Sequence, residues 1–208
     1  MAVPASEIVY WTGMAAVAVN AVTGVLETEG KRMDLVGATI VGLVAALGGG
    51  TLRDLLLDRH VFWIGDQAYL FCGMGAVLVT FLAARLVHVP ANLFLLPDAL
   101  GLALFTVVGT KIALGLDTPW LAASFMGVIT GVFGGVLRDI LANEVPLVMR
   151  PGTLYATASW AGALLLILLL ELEVGEGTAT AAAGVTVFVM RVAAIRYRLT
   201  LPIFSSKK

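Results

Sequence analysis

Apolar residues in this chain fall into seven long runs: Ile8 to Leu26, Leu35 to Leu57, Ala68 to Val87, Leu93 to Leu116, Trp120 to Leu141, Thr153 to Leu170 and Thr178 to Ile195. Polar and turn-forming residues collect between them, as ETEGKRMD, DRHVFWIGD, Pro90 with Asn92, Thr118-Pro119, Arg150-Pro151-Gly152 and ELEVGEG. A helix that crosses the hydrocarbon core of a bilayer needs about 20 apolar residues. Each run is close to that length, and each connection is too short to hold a soluble domain. The pattern predicts an all-α membrane protein with seven transmembrane helices in a single domain over residues 1–208.

Composition agrees with that reading. The chain is 60% hydrophobic and 13% charged, against about 25% charged in an ordinary soluble domain. A net charge of -1 provides no basic field for nucleic acid. Cys72, the single cysteine, cannot form an internal disulfide and reads as a small packing residue. Met1 to Glu7 carries no Lys or Arg, so the first run reads as a retained span rather than a cleaved signal. Basic residues set the expected orientation. With the N-terminus outside, the inner segments hold Lys31, Arg32, Arg85, Arg150, Arg191, Arg196, Arg198, Lys207 and Lys208, and the outer loops hold only Arg59.

The chain also repeats itself. GGGTLRDLL from Gly48 and FGGVLRDIL from Phe133 lie 85 residues apart, and seven of nine positions are identical or exchange one aliphatic residue for another. Each copy ends the middle span of a three-span group, the first over about residues 8–87 and the second over about 93–170. An odd number of spans turns the second copy over in the membrane. Inverted repeats of this kind place a transport pathway around a pseudo-two-fold axis in the membrane plane. The seventh helix, about residues 178–196, stands outside the duplication.

Gly48, Gly49 and Gly50, followed by Thr51, leave the second span's backbone bare, and Gly131, Gly134 and Gly135 do the same in the fifth. Glycine in a helix interior costs about 1 kcal/mol relative to alanine. A kink or an unwound turn is expected at both places, which would bare carbonyls for a cation or N–H groups for an anion. The alternative is close helix contact, since Gly131 and Gly135 also form a GxxxG pattern. Arg53 with Asp54, and Arg138 with Asp139, follow the glycines. Charges at membrane depth face a bundle interior or an aqueous cavity. A two-fold axis suggests cross-pairing, Arg53 with Asp139 and Arg138 with Asp54; a salt-bridged clamp without contact to a permeant species is the other reading.

Lys111 and Asp98 lie near opposite ends of the fourth span, with no sequence neighbour of opposite charge. Lys111 suits a pore barrier, a voltage-sensitive charge or a snorkelling side chain, and Asp98 suits a helix cap. Trp63, Tyr69, Trp120, Tyr155 and Tyr197 read as interfacial anchors. His60 and His88 lack metal-ligand spacing, and no metal site or cofactor is expected. No P-loop, GxSxG elbow or HExxH motif is present, so neither an enzyme nor an ATP motor is expected.

The stretches MDLVGATIVGLVAALGGGTLRDLLL, PDALGLALFTVVGT, GVITGVFGGVLRDILANEVPLVMR and LYATASWAGALLL resemble the prokaryotic trimeric intracellular cation channel family, also catalogued as a bacterial glycine-transporter family. The resemblance covers roughly Gly13 to Leu170. It implies a homotrimer in a prokaryotic cell membrane, among membrane lipids, with an ion pathway inside each protomer. It also implies potassium as the main permeant ion, sodium or other monovalent cations being tolerated, and a pore lined by kinked second and fifth spans. One departure is Ile112, where relatives often carry a basic residue. Sequence pattern leaves open a secondary transporter for glycine or another small amino acid, and a non-transporting membrane scaffold.

Overall fold

The computed structural model describes residues 7–86, 90, 92–151 and 154–202. The sequence readings at Met1 to Ser6, Val87, His88, Gly152, Thr153, Lys207 and Lys208 lie outside them. The helices in chain order are α1 (Glu7–Glu27), α2 (Leu35–Leu56), α3 (Phe62–Gly65), α4 (Ala68–Ala84), α5 (Leu95–Leu114), α6 (Trp120–Leu141), α7 (Tyr155–Glu171) and α8 (Glu176–Tyr197). A 3-10 turn, Leu147–Met149, follows α6. Among the described residues, five helices are long and apolar enough to cross a membrane, and α4 and α7, at 17 residues each, are shorter apolar helices. Seventeen residues rise about 25 Å, the lower limit for a span. The seven predicted spans are therefore α1, α2, α4, α5, α6, α7 and α8. The short α3 was not expected.

Local chemistry accounts for the ends. Asp34 caps α2 by accepting from the Gly37 N–H at 2.8 Å. At the other end of α2, Asp58 adopts positive φ while the Arg59 N–H donates to the Asp54 carbonyl at 2.9 Å. Asn143 and Glu144 repeat this arrangement at the end of α6, with the Glu144 N–H donating to the Asp139 carbonyl at 2.8 Å. These are helix stops in which one left-handed residue lets the chain reverse.

The fold is two inverted three-helix repeats, α1–α2–α4 and α5–α6–α7, plus α8. Adding 85 to both ends of α2 reproduces both ends of α6. Inside the repeats the register is kept between neighbouring helices. A Cβ on Gly24 of α1 would meet the Val41 carbonyl oxygen at 2.9 Å, and one on Gly109 of α5 the Met126 oxygen at 2.8 Å. Inversion shows in the linkers. Lys31, between α1 and α2, pairs with Glu144 beyond α6, so these two segments share one end of the bundle. Tyr10 at the start of α1 stacks edge-on with Tyr69 of α4 at the other end.

Core and surface follow the membrane setting. Ala16, Val17, Ala21, Val25, Ala46, Leu47, Val77 and Phe105 form a buried apolar cluster in the first repeat. A second cluster, with Leu102, Val132, Ala158 and Val187, joins the second repeat to α8. Large apolar side chains including Trp11, Ile40, Phe71, Val79, Leu168 and Val189 stay exposed on the outside. A water-soluble monomer rarely shows so extensive an apolar exterior. In lipid it is the expected surface.

The glycine positions correct the expectation of opened helices. α2 is continuous α-helix through Gly48, Gly49, Gly50 and Thr51, and α6 is continuous through Gly131, Gly134 and Gly135. Close approach is what these residues provide. A Cβ at Gly49 would lie 2.2 Å from the Thr130 carbonyl oxygen, and one at Gly134 would lie 2.3 Å from the Ala45 oxygen. Since 45 pairs with 134 and 49 with 130, α2 and α6 cross antiparallel, and the crossing maps onto itself under the 85-residue offset.

Candidate functional site: two buried charge clusters and the crossing between them

One cluster closes α2. Arg53 and Asp54 are both almost completely buried. The Arg53 Nε donates to Asp54 Oδ1 at 2.9 Å, and its Nη2 lies 2.8 Å from the same oxygen. Asp54 Oδ2 accepts from the Phe62 N–H at 2.8 Å, which ties α3 back onto the end of α2. Phe62 lies under the Arg53 guanidinium, 5.6 Å from ring centroid to Cζ. Thr51 supports this linker by accepting from the Trp63 Nε1 at 2.9 Å while donating to the Leu47 carbonyl. Trp63 is thereby a linker contact, not simply an anchor.

The second cluster repeats the first at the end of α6. Arg138 Nε donates to Asp139 Oδ1 at 2.8 Å, and Asp139 Oδ2 accepts from the Leu147 N–H at 2.8 Å, holding the 3-10 turn. Leu147 is Phe62 plus 85. The expected cross-pairing is thus incorrect: each arginine binds the aspartate beside it. Adjacent helical side chains diverge, but at a helix end the aspartate folds toward the linker N–H and the long arginine reaches it. Because Arg53 and Arg138 end antiparallel helices, they stand at opposite ends of the bundle, out of each other's reach.

The second cluster carries an addition that the first lacks. Asp98, in the first turn of α5, is buried, and its Oδ1 accepts from Arg138 Nη1 at 2.7 Å and from the Tyr155 hydroxyl at 3.0 Å. Arg191 of α8 places Nη2 3.8 Å from Asp98 Oδ2, with its guanidinium 4.5 Å from the centroid of the Tyr155 ring. Position 13, equivalent to Asp98 in the first repeat, is glycine. Two arginines and two aspartates leave this cluster neutral, which is what allows four charges to remain in an apolar bundle.

Three sequence readings change here. Asp98 is an internal ion-pair partner, not a cap. Tyr155 is a buried hydroxyl donor, not an interfacial anchor. Arg191 is fully buried in α8 and is not an inner-loop charge; the available signal was an arginine alone inside the run TVFVMRVAA. Trp120 and Tyr197 do remain exposed near helix ends. Lys111, at the last turn of α5, also gains a partner, Glu176 at the start of α8, and lies 3.5 Å from the Thr180 hydroxyl. Sequence distance concealed it.

Outside the spans, Lys31 pairs with Glu144, and Arg150 Nη2 lies 3.2 Å from the other Glu144 oxygen. The Lys31 hydrogen bond and charge hold the Glu144 carboxyl below its ordinary range. This network braces the α1–α2 linker against the segment that follows the second cluster. Among the described residues, no group of three or more His, Cys, Asp and Glu side chains is arranged to hold a metal.

Comparison with known proteins fits this geometry. A family model described as Glycine transporter matches residues 10–85 and 95–171, one match per repeat. The UPF0126 inner membrane protein YadS of Escherichia coli (strain K12) is 40% identical over 204 residues, covering 95% of this chain and 97% of the relative. The solved trimeric intracellular cation channel orthologue from Rhodobacter sphaeroides superposes with a TM-score of 0.88 at 34% identity, covering 93% of this chain and 100% of the other. A second solved TRIC cation channel gives a TM-score of 0.83 at 29% identity, covering 96% and 98%. With a family model matching both repeats and a solved relative covering 93% of the chain, the chain belongs to the prokaryotic trimeric intracellular cation channel family, which the family model describes as Glycine transporter.

Proposed function

We propose that the protein is a homotrimeric potassium channel of a prokaryotic inner membrane, with its N-terminus outside and a conduction route inside each protomer between α2 and α6. The observation that carries this reading is the self-matching α2–α6 crossing, with a buried Arg–Asp pair at each end. In the packing described above the two helices touch backbone to backbone at Gly49 and Gly134, which is a closed arrangement. Separation there opens the route. The Ala45 and Thr130 carbonyls then face it from two-fold-related positions, and each keeps a second lone pair beyond its helical hydrogen bond. Carbonyl oxygens that replace part of a hydration shell favour potassium, and weak binding lets the ion leave.

The solved relative from Rhodobacter sphaeroides, described as a trimeric intracellular cation channel orthologue, supports both the cation and the trimer. A passive conduit needs no cofactor and carries out no covalent chemistry, so the reading is not that of an enzyme. One observation favours a second reading: the matching family model is described as Glycine transporter, and inverted repeats also serve carriers. Purified protein in planar bilayers and in liposomes separates the possibilities. Ohmic unitary potassium currents support the channel. Saturable glycine uptake without unitary current replaces it with the carrier, and silence in both assays leaves a scaffold.

A further inference from the structure

Beyond the proposed conduction route lies a second feature, a cleft beside α8. It has a volume of about 280 Å³ between α1, α5 and α8, with Leu104, Val107, Ala181, Val185 and Phe188 among its walls. α8 has no counterpart in the repeats, and Gly184 keeps its face of the cleft open. A Cβ added there would meet only Val107 Cγ2, at 3.9 Å. At membrane depth an apolar cleft with free access is filled by hydrocarbon rather than water.

Its rim is not apolar. Thr180 lines the cleft and lies 3.5 Å from Lys111 Nζ, and Lys111 is paired with Glu176, one turn earlier in α8. Lys111 lies at the last turn of α5 and Glu176 at the first turn of α8, so both stand at an end of the bundle where phospholipid head groups lie. The Glu176 side chain is 43% exposed, whereas Lys111 is 8% exposed and turned toward Glu176 and Thr180. An ammonium and a carboxylate side by side match a head group that itself carries both charges.

We infer that this cleft binds one acyl chain of a phosphatidylethanolamine-type phospholipid, with the primary ammonium at Glu176 and the phosphate beside the Thr180 hydroxyl, where the Lys111 charge lies behind it. Neutrality of the Lys111–Glu176 pair disfavours a purely anionic head group. A quaternary ammonium, which cannot donate a hydrogen bond to Glu176, binds more weakly. Loss of one such bond, worth about 1 kcal/mol, corresponds to roughly fivefold in affinity. The inference concerns the outer face of α8 and holds whether or not the protein conducts.

The test uses the full-length protein in nanodiscs containing equal amounts of phosphatidylethanolamine, phosphatidylglycerol and phosphatidylcholine with the same acyl chains, followed by gentle extraction and native mass spectrometry. Phosphatidylethanolamine is expected to remain bound about fivefold in excess of either other lipid. In the Gly184→Leu variant the added Cβ meets only a side-chain methyl of Val107, and the substitution improves helix propensity, so it should fold, keep its oligomeric state and lose the retained lipid. Glu176→Gln should keep a bound lipid but lose the head-group preference. Equal lipid retention in Gly184→Leu and wild type overturns the proposal. So does a wild-type preference for phosphatidylglycerol. If Gly184→Leu instead dissociates the oligomer with lipid retention unchanged, the cleft is a contact with a second copy of the chain and the lipid assignment is wrong.

Discussion

Gly49 of α2 and Gly134 of α6 occupy reciprocal places in the helix crossing, each under a backbone carbonyl of the other helix, so that an added Cβ would fall 2.2 Å from Thr130 O or 2.3 Å from Ala45 O. Backbone cannot yield as a side-chain end can. Gly49→Ala and Gly134→Ala should therefore push α2 and α6 apart. Overpacking costs about 1 to 3 kcal/mol, offset by about 1 kcal/mol of helix propensity. Each variant should melt at a lower temperature in detergent yet show a higher open probability in bilayers. Unchanged gating alongside normal folding would remove the crossing from the conduction route.

The second cluster should respond to charge removal in a manner set by its own pairs. Asp98→Asn takes one carboxylate from between Arg138 and Arg191, and breaking a buried ion pair costs about 3 to 5 kcal/mol. Adding Arg191→Leu removes the surplus cation and should restore part of that loss in thermal unfolding. A double-mutant cycle between Asp98 and Arg191 is thus expected to show coupling. The same cycle between Arg53 and Asp139 should show none, because each pairs with its sequence neighbour. Coupling there would contradict the packing.

Acid should loosen the linker brace before it reaches the spans. The Lys31 hydrogen bond and charge lower the Glu144 pKa, so the folded carboxyl stays ionised below the ordinary glutamate range. A depressed carboxylate contributes stability that is fully present above its unfolded pKa and is lost as pH falls through the folded one. Protection of the α1–α2 linker amides from exchange, relative to their intrinsic rates, should accordingly be full at neutral pH and be lost only below the ordinary glutamate range. Glu144→Gln should show the reduced protection at every pH. A loss of protection already present near pH 6 would place control in another group.

Much of this architecture was legible because a membrane constrains it. Span length and the 85-residue repeat specify two inverted halves, since each helix must satisfy its own backbone in lipid. What the glycines do was harder to read. Bare backbone permits either an opened turn or close contact, and only the reciprocal register of Ala45 with Gly134 and Gly49 with Thr130 separates the two. The arginine partners were missed for a different reason. Asp54 and Asp139 each spend one oxygen on a linker N–H eight residues ahead, which turns the carboxylate toward its own arginine. Arg191 reads from sequence as an inner-loop charge near the end of the last run, and only the packing of α5 and α7 brings Asp98 and Tyr155 against it.

A reversible lock across the crossing tests the conduction route most directly. A Cβ on Gly48 would lie 2.7 Å from Leu137 Cδ1 and 3.9 Å from its Cγ, so Gly48→Cys with Leu137→Cys brings two thiols from α2 and α6 within disulfide reach, with Cys72→Ala removing the native thiol. Potassium current through this protein is measured in a planar bilayer under a KCl gradient, before and after oxidation and again after reduction. The account predicts unitary currents that reverse toward the potassium equilibrium potential, vanish on oxidation and return on reduction. Currents that persist through the cross-link would place the route elsewhere, and a reduced protein that never conducts would end the channel reading.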